Sequence, residues 1–117
     1  MIFYYAPGAC SLAPHIALHQ SGAQFESRRV DLHRGEQTTD EYLAINPKGR
    51  VPVLITEQGT LTENSAILFY ISQLFPQAGL APVNDPFALA KMQEFNNYLA
   101  STVHVAHAHG PRGYRWA

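Results

Sequence analysis

The sequence predicts an α/β domain with the element order β-α-β, a short helix, then β-β-α, followed by one further long helix. Three observations carry this expectation. Short apolar or alternating runs at Ile2–Tyr5, Phe25–Leu32 and Val51–Thr56 have strand character. Helix-length segments separate or follow them, with Gly22 and Pro76 as stop signals. A Pro/Gly/Asn-bearing stretch from Pro76 to Asp85 then precedes a new helix start at Asp85-Pro86. The chain has 117 residues, 46% apolar and 15% charged, which suits one ordinary domain with the start of a second and disfavours disorder.

Ile2–Tyr5 reads as a buried strand closed by Pro7-Gly8. Cys10–Gln20 reads as the first helix, with Leu12, Ile16 and Leu18 as its apolar positions. A strand–helix–strand unit of this length makes the first two strands parallel. Thr38 and Glu41, three apart, offer a capping box for a short helix that Asn46-Pro47 ends. Val51–Thr56 is a strand carrying Pro52, a demerit unless the proline sits at a strand start or a special turn. Gln58-Gly59 turns the chain into Thr60-Leu61-Thr62. From Asn64, the residues Ile67, Leu68, Ile71, Leu74 and Phe75 share one helical face. Beyond Asp85-Pro86, Leu89, Met92, Leu99, Val103 and Ala106 form a stripe with Phe95 beside it, expected to end at Gly110-Pro111.

Several function classes are disfavoured at once. A net charge of −1 leaves no electrostatic footprint for nucleic acid or an anionic membrane surface. No apolar run is long enough to span a bilayer, and Met1–Tyr5 lacks the basic start of a signal peptide. A single cysteine supports neither a disulfide framework nor a four-cysteine metal site, so a cytoplasmic, reducing setting is expected.

That cysteine, Cys10, follows a strand and a Pro-Gly turn at the expected start of a helix, where backbone N–H groups and the helix dipole favour a thiolate. A buried, inert cysteine is the competing reading. Ala13 stands where a dithiol motif would place its second Cys, so two-thiol chemistry within one chain is excluded and monothiol chemistry is not. Tyr5 and Ser11 are rival hydroxyls for holding a thiolate, Tyr5 reading equally as a core aromatic. His104, His107 and His109 evoke a metal site, yet no Cys or carboxylate follows at ligand spacing, and no metal is expected. His15 and His19, four apart, read as structural.

Tyr4-Tyr5-Ala6-Pro7-Gly8-Ala9-Cys10-Ser11-Leu12-Ala13-Pro14-His15, Asn46-Pro47-Lys48-Gly49-Arg50-Val51-Pro52-Val53-Leu54 and Leu61-Thr62-Glu63-Asn64-Ser65-Ala66-Ile67 occur in that order, and together they resemble a bacterial beta-class glutathione S-transferase. The resemblance implies a thioredoxin-like glutathione-binding domain over residues 1–80, then the first helix of an all-α C-terminal domain over residues 81–117, apparently truncated. It implies Cys10 as the leading catalytic group, with Ser11 and Tyr5 beside it. Val51-Pro52 would be a cis-proline turn whose Val51 backbone pairs with an extended peptide. Glu63, Asn64 and Ser65, at a helix N-terminus, would hold the γ-glutamyl end, although plain capping explains the same residues. Arg34 would stand in for a family lysine that holds the glycine end, with a solvated surface arginine as the alternative. Lys48 is expected to be exposed and lies outside this set. His104 would reach the site from the second domain.

The activity implied is conjugation of the glutathione thiolate to a small electrophilic substrate, a detoxification chemistry carried out by a homodimer without metal, with thiol transfer through a Cys10–glutathione mixed disulfide as a second capacity. A monothiol glutaredoxin-like reductase and a non-catalytic glutathione-binding module are the rival readings. The long helix from Pro86 argues against a lone thioredoxin fold.

Overall fold

In a computed structural model, which describes residues 1–115, the chain forms two compact units, Met1–Leu80 and Ala81–Ala117. The first contains β1 (Ile2–Tyr5), α1 (Leu12–Ser21), β2 (Glu26–Arg29), α2 (Asp40–Ile45), β3 (Val53–Thr56), β4 (Gly59–Thr62) and α3 (Asn64–Leu74). Its sheet has the order β2-β1-β3-β4. β2 runs parallel to β1, pairing Ile2 with Glu26, whereas β3 runs antiparallel to β1 and to β4. This is the expected thioredoxin-like arrangement.

The alternation of β1 divides the core. Phe3 joins Leu18 of α1, Leu54 of β3 and Ile67 and Ile71 of α3 in one fully buried cluster. Tyr4, one residue on and pointing to the other side, joins Val30, Tyr42, Val51 and Val53. Each buried Leu or Ile stabilises the fold by roughly 1.5–3 kcal/mol. The two clusters sandwich the sheet between α1 with α3 and α2.

Several local expectations are corrected. α1 starts at Leu12 rather than Cys10, and it buries Pro14, Ala17 and Leu18. Leu12 and Ile16 are 59% and 47% exposed, so the inward face is the small-residue side of the helix. Leu74 of α3 is likewise exposed, the helix burying Ile67, Ile71 and Ser72. β2 is shorter than Phe25–Leu32 because Asp31 opens a turn, its side chain accepting from the amides of His33 and Arg34. The cap of α2 is Thr39, not Thr38: the Thr39 hydroxyl accepts from the Tyr42 amide at 3.3 Å, while the Thr38 hydroxyl donates to the Gly35 carbonyl. Pro52 precedes β3, and its peptide bond to Val51 is cis.

In the second unit, Asp85 caps α4 (Pro86–Tyr98), accepting from the amides of Phe87 and Ala88 at 3.1 and 3.0 Å. A π-helical segment, Leu99–Val103, follows and leads into α5 (His104–Arg112). Gly110-Pro111 therefore does not stop the helix. A proline next to the last helical residue costs only the bond to one carbonyl a turn back. Leu99 and Val103 of the predicted stripe are exposed, as are Phe95 beside it and Tyr114; Trp116 lies outside the described residues. No helix among the described residues is long and apolar enough to cross a membrane.

Candidate active site

The end of β1, the cis turn before β3 and the start of α3 meet at one edge of the first unit. After Tyr5 the chain turns through Pro7-Gly8, Gly8 taking φ +71°, a left-handed value that suits glycine. The Ala9 amide closes this turn on the Ala6 carbonyl at 3.2 Å. Cys10 comes next, just ahead of α1, and is exposed. Its Sγ lies 3.7 Å from the Val51 carbonyl oxygen, within reach of an S–H···O contact. Its own carbonyl accepts from Asn64 Nδ2 at 2.8 Å. Three segments far apart in sequence thus converge on Cys10.

The hydroxyl of Ser11 points elsewhere. Its Oγ accepts from the Ala6 amide at 3.1 Å and donates to the Ala6 carbonyl at 3.2 Å, and the residue is 0% exposed. Ser11 braces the turn that presents Cys10 and is out of reach of solvent. Tyr5 is partly buried, its ring 4.6 Å from that of His15. His15 in turn stacks near Phe3 and His19, at 5.3 and 5.2 Å. Burial, and then the neighbouring His19, hold the His15 imidazole below its ordinary pKa, which favours the neutral ring. His15 and His19 are accordingly members of an aromatic cluster.

The cis turn is firmly held. Asn46, almost fully buried, donates from Nδ2 to the Arg50 carbonyl at 2.8 Å, and the Tyr42 hydroxyl donates to the same oxygen at 2.7 Å. Burial, followed by Tyr4 and Glu36, pushes the Tyr42 phenol up to about 12, so it remains a donor across the neutral range. Val51 and Pro52 are both buried.

At the start of α3, the first α-helical bond runs from the Ile67 amide to the Glu63 carbonyl, leaving the amides of Asn64, Ser65 and Ala66 at the open helix end. Such an end attracts a carboxylate. Glu63 adopts φ +75°, a left-handed value unusual for a residue with a side chain. Its exposed carboxylate receives Lys48 Nζ at 2.6 Å, and Lys48 also donates to Thr62 Oγ1 at 2.9 Å.

Lys48 lies outside the residues that the resemblance implies for the site. Its closeness to Glu63 comes from the fold of the Asn46–Arg50 loop, and no spacing signal announces a pair 15 residues apart. Arg34 sits on the surface with an 88% exposed side chain, at 3.8 Å from Asp31. His104 opens α5 in the second unit and is exposed. No group of three or more His, Cys, Asp or Glu residues is placed to hold a metal among the described residues.

The family model for the glutathione S-transferase N-terminal domain matches residues 1–73. The chain is 45% identical over 107 residues to the glutathione S-transferase GstA of Escherichia coli O157:H7, an alignment covering 89% of this chain and 53% of that protein. A glutathione transferase homologue from Sulfitobacter, solved with bound glutathione, superposes with a TM-score of 0.94 at 50% identity, covering 99% of this chain and 56% of the other. The bacterial beta-class glutathione S-transferase of Sphingomonas chungbukensis gives a TM-score of 0.84 at 43% identity, with 92% and 55% covered. The chain spans about half the length of the curated relatives it matches. With the motif residues gathered around Cys10 and the N-terminal domain matched across most of the first unit, the chain belongs to the glutathione S-transferase family.

Proposed function

We propose that the first unit is the glutathione-binding half of a bacterial transferase that conjugates the glutathione thiolate to small electrophiles. The observation that carries this reading is the convergence on Cys10, with Val51 on one side and Asn64 on the other. The bound glutathione of the Sulfitobacter homologue supports the same ligand here. In this reading the γ-glutamyl carboxylate meets the open amides of α3, and Glu63 accepts from the γ-glutamyl ammonium. The cysteinyl backbone pairs with that of Val51, next to Pro52, and its sulfur lies beside Cys10. Ser65 adds its amide to the carboxylate site. Tyr5 shapes the wall through His15, and Ser11 serves the turn.

Catalysis then rests on holding the glutathione sulfur as a thiolate next to its electrophile. The electrophilic carbon gains the sulfur, and its leaving group departs with the bonding electrons. Exposure of Cys10 also favours thiol transfer. The Cys10 thiolate attacks the glutathionyl sulfur of a mixed disulfide, releasing the substrate thiolate, and a second glutathione thiolate regenerates Cys10 with glutathione disulfide as product. A working monothiol of this kind suits the cytoplasm. We assign the complete enzyme a homodimeric state, with Arg34 and His104 as candidate outer contacts to glutathione.

The test is conjugation of glutathione to a chloro-dinitro aromatic, run beside reduction of a glutathionyl mixed disulfide, for the parent chain and Cys10→Ala. Calorimetric titration with glutathione accompanies both. Binding with conjugation in the parent, and loss of disulfide reduction in Cys10→Ala, is the expected pattern. No binding at millimolar glutathione sinks the transferase reading. Disulfide reduction without conjugation favours the glutaredoxin-like alternative, and binding without either activity favours a non-catalytic module.

A further inference from the structure

Asn64 makes one side-chain bond across the site: Nδ2 donates to the Cys10 carbonyl at 2.8 Å. The other end of the same amide, Oδ1, is buried and has no hydrogen-bond partner. Reversing the amide would set two carbonyl oxygens 2.8 Å apart at Cys10, so the donor must face Cys10. The Ala13 amide also donates to the Cys10 carbonyl, over a longer 3.4 Å. Asn64 also starts α3, immediately after Glu63 with its positive φ.

We propose that the Asn64 side chain is a positioning group: it ties the start of α3 to the Cys10 main chain and so fixes where Cys10 presents its sulfur, and the side chain, unlike the Asn64 main-chain amide, does not contact glutathione. The inference rests on the transferase reading for its catalytic consequence. Its structural core, an Asn64-dependent Cys10 loop, stands without glutathione.

The experiment compares the full chain with Asn64→Ala. Backbone ¹⁵N relaxation is recorded without ligand, and conjugation kinetics are recorded over a range of glutathione concentrations. The amides of Cys10 and Ser11 are expected to fall from rigid order parameters of about 0.85 toward about 0.6. The turnover number is expected to drop about tenfold with KM for glutathione within about twofold, because geometry is lost and binding is not. The melting temperature is expected to fall by no more than about 10 °C, since a single hydrogen bond is lost. A raised KM at unchanged turnover identifies Asn64 as a ligand contact and overturns the proposal. Unchanged order parameters overturn it as well, and so does a large drop in melting temperature with full activity per folded molecule. If Asn64→Ala does not fold, Asn64→Ser, with a hydroxyl too short to keep the span, goes through the same measurements. A parent chain that never conjugates defeats the transferase reading alone, and the relaxation data still decide the role of Asn64.

Discussion

Replacing Ser11 by Ala separates a structural hydroxyl from a catalytic one. The Ser11 hydroxyl closes a two-way link with Ala6, at 3.1 Å to its amide and 3.2 Å from its carbonyl. The Ala6 carbonyl has a second donor, the Ala9 amide at 3.2 Å, and keeps it in the variant. The Ala6 amide loses its acceptor in a residue only 4% exposed. One orphaned buried donor costs about 1–3 kcal/mol. For a domain the size of the first unit each kcal/mol moves the midpoint by about 4–8 °C, so a fall of about 4–24 °C is expected. Thermal melting followed by circular dichroism measures it. At 20 °C the folded variant should retain conjugation within about threefold of the parent, because no transition-state contact has been removed. A melting temperature within 2 °C of the parent, with activity reduced by about a hundredfold or more as expected for a lost acid–base or thiolate-stabilising group, would refute the structural role and return Ser11 to the catalytic set.

Lys48→Ala removes an exposed ion pair with Glu63, worth about 0.2–1 kcal/mol, so the melting temperature should move by only a few degrees. A shift beyond about 10 °C would show that the pair holds the loop by more than screened charge. Gly49→Ala should destabilise by about 1–2 kcal/mol in urea titration, because Gly49 has φ +61° and a Cβ there would sit 3.0 Å from the Gln37 carbonyl oxygen. Equal stability would mean that the loop rearranges. The His15 imidazole is depressed below 6.5 in the fold, so the unfolded chain takes up the proton first, and stability should fall as pH drops below that value. Urea midpoints at pH 7.5 and 5 check this, and His15→Phe should show a smaller drop. Tyr42 runs the other way on the alkaline side: its folded value is pushed up to about 12 from 10, and stability should decline as pH rises through that interval. A phenolate absorbance titration that shows all tyrosines ionising together near 10 would contradict it.

The architecture was legible because its signals are local. Gly22 takes φ +75° at the end of α1, and Asp85 caps α4 through two amides, as their residue types dictate. What failed was the inward face of α1. Leu12 and Ile16 are larger and more apolar than Ala17, yet the helix turns Ala17 inward with Leu18 and Pro14. A small residue lets helices approach closely, and which neighbour demands that is a tertiary fact absent from the helix's own pattern. The cap of α2 slipped by one residue for a related reason: two adjacent threonines satisfy the same rule, and the turn at Glu36–Thr38 decides between them.

The site itself was legible as three motifs and illegible as a set of contacts. Cys10, Val51 and Glu63 were each marked by what surrounds them in sequence: a turn, a proline and a helix start. The bonds that join their segments, from Cys10 to Val51 and from Asn64 to Cys10, span 41 and 54 residues. Local chemistry cannot assign such partners; it shows only that an asparagine at a helix start has an amide to spend. Its use was decided by the sheet, which brings the end of β1 beside the start of β3 and sets α3 next in line. The same order explains Lys48, whose loop precedes β3 just as Glu63 follows β4, so that one antiparallel hairpin returns Glu63 to the lysine. The residues to which the proposed function gives chemistry were marked by type, whereas the residues proposed to aim them were marked by topology. Asn64 and Lys48 belong to the second kind, and substitutions there should change how well Cys10 and Glu63 are placed without changing what they are.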